Sequence, residues 1–178
     1  MSRKVLWITR TAVLTALLIV SQASTAVLGN TLITGSIVNL ILIISVMVCD
    51  LMSGLAVAVI SPICAKFFGI GPFWTLIPFI IAGNVVLVSM WYFIGNKSSG
   101  QRHISYIIAL VGAAVAKFVV LYFGIVRVAI PTFLQLPEPK AVVISNIFSI
   151  PQLFTALIGG TFAVIMLPIL KNAIREPK

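Results

Sequence analysis

Acid is what this sequence has least of. Of its 178 residues only Asp50, Glu138 and Glu176 carry a carboxylate side chain, against twelve Lys and Arg. Histidine occurs once, at His103, and cysteine twice, at Cys49 and Cys64. Each scarcity excludes something. A pair of carboxylates on one helix face is missing, and HExxH, GxSxG and Walker patterns do not occur. No His/Cys cluster has metal-ligand spacing. The expectation is a protein that is not an enzyme, with no catalytic residue, no metal and no cofactor. The two cysteines fall in apolar helical runs and read as small buried hydrophobes. A proton-coupled carrier usually places a carboxylate inside the membrane. None is evident here, which counts against secondary active transport.

Charge of either sign is also scarce. Charged residues make up 8 % of the chain and hydrophobic ones 61 %. A soluble domain needs roughly a quarter of its residues charged to cover its surface, so this chain belongs in a bilayer. Spans of about 20 residues make six crossings the natural limit. The whole of 1–178 is then a single transmembrane domain, with no room for a nucleotide-hydrolysing one. If ATP is needed, another chain must supply it. The net charge of +9 does not point to nucleic acid, because the cations are dispersed at helix ends with no aromatic-interleaved basic stripe. They read as topology determinants. The basic start, apolar run and small residues Ala23 to Ala26 imitate a signal peptide, but the run is longer than a usual signal core and is read as a retained span.

What is present is a sequence of apolar helices. The expected fold is an all-α integral membrane protein, a bundle of six transmembrane helices at about 4–27, 37–49, 55–68, 73–94, 104–128 and 145–170. Gly29, Asn30 and Gly35 mark a loop over 28–36, and Asp50, Ser53 and Gly54 a tight turn in which Asp50 caps a helix. The second helix is short for a span and should be tilted, broken or extended by its flanks. A glycine- and proline-rich break follows at 69–72. Pro131, Pro137 and Pro139 make 129–143 an irregular loop or re-entrant segment, and Pro151 and Gly159-Gly160 interrupt the last helix. Six crossings put both termini on one side with Arg3, Lys4, Arg10, Lys97, Arg102, Lys171, Arg175 and Lys178, against Lys66, Arg127 and Lys140 on the other. Both termini are therefore expected in the cytoplasm of a cell whose plasma membrane the chain crosses.

Lys117 is the most informative single residue, near mid-membrane in the fifth helix. A charge there costs at least about 2.5–3.5 kcal/mol and should face the bundle or a wet cavity. It is either the floor of a substrate cavity or a structural lysine paired to a carbonyl or snorkelling outward. Asn84, beside Gly83 and halfway down the fourth helix, either binds substrate or stitches helices together. Asn39, Asn146 and Gln152 fall in the outer parts of their helices, and Pro151 frees a carbonyl near Gln152. Trp74 at the outer end of the fourth helix is either an interfacial anchor or a stacking wall for a flat ligand. Arg127 near the outer surface either snorkels or meets an anionic group.

The first helix carries Ala12-Val13-Leu14-Thr15-Ala16, whose alanines share one face. Small residues spaced this way let another helix approach closely, from within the bundle or from a separate subunit. With the length, the six helices, the basic cytoplasmic termini, the structured outer loops and the missing ATPase, this resembles the S components of energy-coupling-factor (ECF) vitamin transporters. The resemblance covers essentially the whole chain. It implies that Ala12 and Ala16 pack on the ECF transmembrane coupling subunit, and through it on two ATPase subunits. It also implies that a vitamin is captured from outside and released inward as the subunit topples in the membrane. The implied cavity draws on Asn39, Asn84, Lys117, Asn146 and Gln152, with Trp74 and Arg127 at its mouth and 31–36 as a lid. The segments TGSIVN (34–39), SPICAKFFGIG (61–71) and PFIIAGN (78–84) look most like the cobalamin subgroup. Riboflavin, pantothenate, thiamine, folate or a queuosine precursor are alternatives, as is a stand-alone small carrier.

Overall fold

Every long apolar run becomes a helix, because in hydrocarbon each backbone N–H and C=O must be paired within its own segment. The computed structural model describes residues 3–71, 73–96 and 102–174. Lys97, Arg175, Glu176, Lys178 and Pro72 lie outside the described residues. Helix α1 is Arg3–Ala26, α2 Thr31–Ile44, α3 Leu51–Phe67, α4 Ile77–Gly95, α5 Arg102–Leu121, α6 Glu138–Ile147 and α7 Ile150–Ile174. Two are prolonged by wider π-helical turns: α2 by Ser45–Cys49 and α5 by Tyr122–Leu134. Among the described residues there is no strand. Five helical segments are long and apolar enough to cross a membrane, and α3 is a shorter apolar sixth.

The helix ends follow from local chemistry. Asn30 caps α2, its Oδ1 accepting from Leu32 N at 3.0 Å and Ile33 N at 3.3 Å. The second helix therefore starts at Thr31 rather than Ile37, and 31–36 is its opening turns, not a loop lid. Its 19-residue span comes from this extension. Gly35 sits inside α2 because Thr155 of α7 packs against it; a Cβ there would lie 2.8 Å from Thr155 Cγ2. Asp50 is extended and caps α3, accepting from Ser53 N at 2.6 Å and from the Trp7 indole at 3.1 Å. Ser53 and Gly54 lie within α3, so the turn is one residue wide. At the other end, Gly69 takes φ of 74°, with Ile70 N bonded to Ala65 O and Gly69 N to Lys66 O. This is a Schellman stop, which needs a left-handed residue.

Two expectations about the second half are corrected. Residues 129–143 are largely helical: the π-helical turns run to Leu134, Gln135 reverses the chain in the left-handed region, and α6 begins at Glu138 with Pro139 in its first turn. A first-turn proline loses no helical bond, since its N–H would be unpaired anyway. The run expected over 145–170 is interrupted just before Pro151, where α6 ends at Ile147 and α7 starts at Ile150, but not at Gly159-Gly160, through which α7 runs unbroken. The glycines are contact points. Gly159 faces the α2 backbone at Ser36 and Leu40, and Gly160 faces Leu110 and Trp91.

Helix α7 thereby lies flush along α2, while α4 pairs with α5. The larger core, at the end holding both chain termini, is built on Leu42, Ile43, Leu87, Trp91, Tyr106 and Leu167. A smaller one at the opposite end joins Leu76, Leu121, Ile125, Ile144 and Phe148. Helix α1 is the least embedded: Ala12, Val13, Ala16, Leu17 and Val20 are all exposed. It is tied to α3 by a hydroxyl–hydroxyl hydrogen bond between Thr11 Oγ1 and Ser53 Oγ, 2.9 Å apart.

Candidate functional site

Between the two cores lies a cavity of about 470 Å³ that reaches the end of the bundle opposite the chain termini. Its wall is drawn from all seven α-helices. Gln22 and Ala26 come from α1, Thr34, Val38 and Asn39 from α2, Ser61 and Ala65 from α3, Ile77, Ile80 and Asn84 from α4, Lys117 and Leu121 from α5, and Gln152 from α7. Ile144, Ile147 and Phe148 of α6 and its exit close one side. The lining is chiefly apolar with a few convergent polar groups, as in small-molecule sites generally.

The polar groups meet at Lys117. Its side chain is 4 % exposed. Nζ donates to Asn39 Oδ1 at 2.6 Å and to Asn84 Oδ1 at 2.8 Å. Asn39 Nδ2 in turn donates to Thr155 Oγ1 at 3.2 Å, and Thr155 Oγ1 donates to the Gln152 carbonyl at 3.0 Å. Four helices, α2, α4, α5 and α7, are thus cross-linked at one level. An amide carbonyl solvates an ammonium but does not neutralise it. No lining residue is acidic, and Lys117 is the one charged residue among them. Asp50 sits at the far end of the bundle, at the start of α3. The cavity therefore presents one lysine amine with no acid partner, able to donate to a ligand acceptor in a low-dielectric space where such bonds are strong.

Of the residues singled out in the sequence, Asn39, Asn84, Lys117 and Gln152 line this cavity. Gln152 holds its position by donating from Nε2 to the Ile147 carbonyl at 3.1 Å. Trp74, Arg127 and Asn146 stand outside the wall. Trp74 is 51 % exposed and packs edge-on against Phe67, 5.1 Å between ring centroids. Arg127 is exposed, with its guanidinium over the Tyr122 ring at 5.5 Å. Asn146 is exposed on α6, on a different side from the Ile144, Ile147 and Phe148 that reach the cavity. Sequence reasoning missed Gln22, Ser61 and Thr155, and it gave Asn30 and Thr34 only as parts of a loop over the cavity. Gln22 carried a readable signal, as the one amide in the first helix.

A family model described as ECF transporter, substrate-specific component, matches residues 7–171. The chain belongs to that family. No curated protein and no solved structure matches it. The S component is thus a multi-pass plasma-membrane protein, and its family consists of transporter subunits rather than enzymes. The family implies association with an ECF module of membrane and ATPase subunits. In this S component Ala12 and Ala16 are exposed on α1, away from the cavity. The strip of small residues is therefore not consumed by packing inside the bundle.

Proposed function

We propose that this S component captures a small monocarboxylate vitamin, of the kind represented by pantothenate or biotin. The carboxylate docks on Lys117. The observation that carries this reading is the cation at the cavity floor, held by two amide oxygens and lacking an acid partner. The volume of about 470 Å³ suits a drug-sized ligand or smaller. A cationic vitamin such as thiamine would be repelled, and a dicarboxylate such as folate would leave one charge without a partner. Delivery follows the family's logic: α1 docks on the coupling subunit through Ala12 and Ala16, the two ATPases energise the module, and the loaded subunit topples to release its ligand inward. A stand-alone carrier would need its own driving ion, for which the cavity supplies no carboxylate.

Cobalamin is the second reading. It is favoured by the amides of Gln22, Asn30, Asn39, Asn84 and Gln152 in the wall. A corrinoid is much larger than the cavity, so this reading requires the rim at 27–30 and 68–71 to move outward. Mass spectrometry of ligand released from the purified, denatured subunit, followed by calorimetric titration of a vitamin panel, separates the two. Release or tight binding of a monocarboxylate is the expected result. Binding of cobalamin with no response to any monocarboxylate would overturn the first reading.

A further inference from the structure

A second polar group lines the cavity on α3, a helix other than those that hold Lys117 and its amide partners. Ser61 is 1 % exposed, lines the cavity, and its Oγ has no hydrogen-bond partner among the described residues. This is unusual for a helical hydroxyl, which ordinarily bonds to a carbonyl one turn back. Thr11, Thr15, Thr25 and Thr161 all do so in this protein. A buried hydroxyl left unpaired in a membrane protein is costly. The Oε1 of Gln22, nearer the mouth, is likewise buried, cavity-lining and unpartnered.

The placement is informative. Ser61 lies ten residues into α3, and Asn39 lies ten residues before the end of the π-helical turns at Cys49. Both are therefore roughly 15 Å from the Asp50 turn at a 1.5 Å rise. Ser61 is at the depth of the Lys117–Asn39–Asn84 cluster, but on α3, which does not pack closely against α5. Val38, Pro62, Ala65, Ile77 and Ile80 supply apolar wall in the same cavity.

We infer that Ser61, with Gln22 above it, is a specificity-determining contact that reads a hydrogen-bonding group at the far end of the ligand. The ligand is then two-ended: a carboxylate on Lys117, an apolar middle, and a hydroxyl, amide or ureido group on the α3 side. This rests on the carboxylate reading above and extends it, because a monocarboxylate with an apolar far end would leave Ser61 and Gln22 unsatisfied.

Three probes test it by calorimetry on the full-length subunit in detergent: pantothenate and biotin, polar at the far end, and lipoate, apolar there. The expected result is that pantothenate or biotin binds at least tenfold more tightly than lipoate. Ser61→Ala should weaken that binding about three- to tenfold, the loss of one neutral hydrogen bond, while leaving lipoate unchanged. Gln22→Leu should act in the same direction. Lipoate binding as tightly as the polar-ended probes, or Ser61→Ala weakening all three equally or none, would overturn the Ser61 contact while leaving the Lys117 reading standing. Failure of all three probes to bind would overturn both.

Discussion

Replacing Lys117 by methionine keeps the length and apolar stem of the side chain and removes only its charge and donors. In the ligand-bound state, truncating one member of a buried, hydrogen-bonded charge pair costs about 2–5 kcal/mol. The lower part of that range applies here. Asn39 and Asn84, which accept from Lys117 at 2.6 and 2.8 Å, can rotate their amides and donate to the orphaned carboxylate. A loss of about 2–3.5 kcal/mol is a rise in Kd of roughly 30- to 300-fold. The fold should survive. Interhelical polar bonds in membranes average about 0.6 kcal/mol, so losing two costs on the order of 1 kcal/mol. The assay is calorimetry with whichever monocarboxylate the panel identifies and with its carboxamide, alongside a thermal melt. Wild type should prefer the carboxylate strongly, and Lys117→Met should bind carboxylate and carboxamide within about threefold of one another. A well-folded Lys117→Met protein that kept the wild-type preference would refute the assignment of Lys117 to the ligand's charge.

Two further outcomes are expected. Replacing Ala12 and Ala16 together by tryptophan should abolish ATP-driven uptake in reconstituted vesicles while leaving ligand binding by the isolated subunit unchanged, because both residues are exposed and remote from the cavity; uptake that survives would remove α1 from the docking role. Gly159→Val puts a branched side chain against the α2 backbone at Ser36 and Leu40, an overpacking cost of about 1–3 kcal/mol or more. It should lower the melting temperature and weaken ligand binding by displacing Asn39, and a variant with unchanged melt and affinity would refute the tight α2–α7 seam.

The residues legible in the sequence were those whose chemistry is out of place in hydrocarbon. Lys117, Asn84 and Asn39 stand out because a cation or amide in an apolar run needs partners, and in the fold they are each other's partners. Ser61 and Thr155 carried no such signal. A hydroxyl in a membrane helix normally satisfies itself on its own backbone, so nothing in sequence marks Ser61, whose hydroxyl has no partner among the described residues. The helix boundaries went astray where glycine and proline were taken as breakers. Gly35, Gly54 and Gly159 are close-approach points inside helices, and Pro139 sits in a first turn, where it costs little, whereas the chain does break just before Pro151. The Asn30 cap was readable but lay hidden among glycines marking a loop. Trp74 and Arg127 were placed at the cavity mouth because sequence position gives depth, not azimuth. Their packing on Phe67 and Tyr122 turns them away from it.

The lone lysine has an electrical consequence. On the proposed toppling cycle, the empty subunit would turn with the Lys117 amine buried and without an acid partner, in a medium of low polarisability. A bound monocarboxylate pairs with that amine, replacing a single buried charge by a local ion pair. On the carboxylate reading, occupancy at Lys117 therefore does more than select the cargo. On the proposed cycle it would also favour movement of the loaded subunit over the empty one.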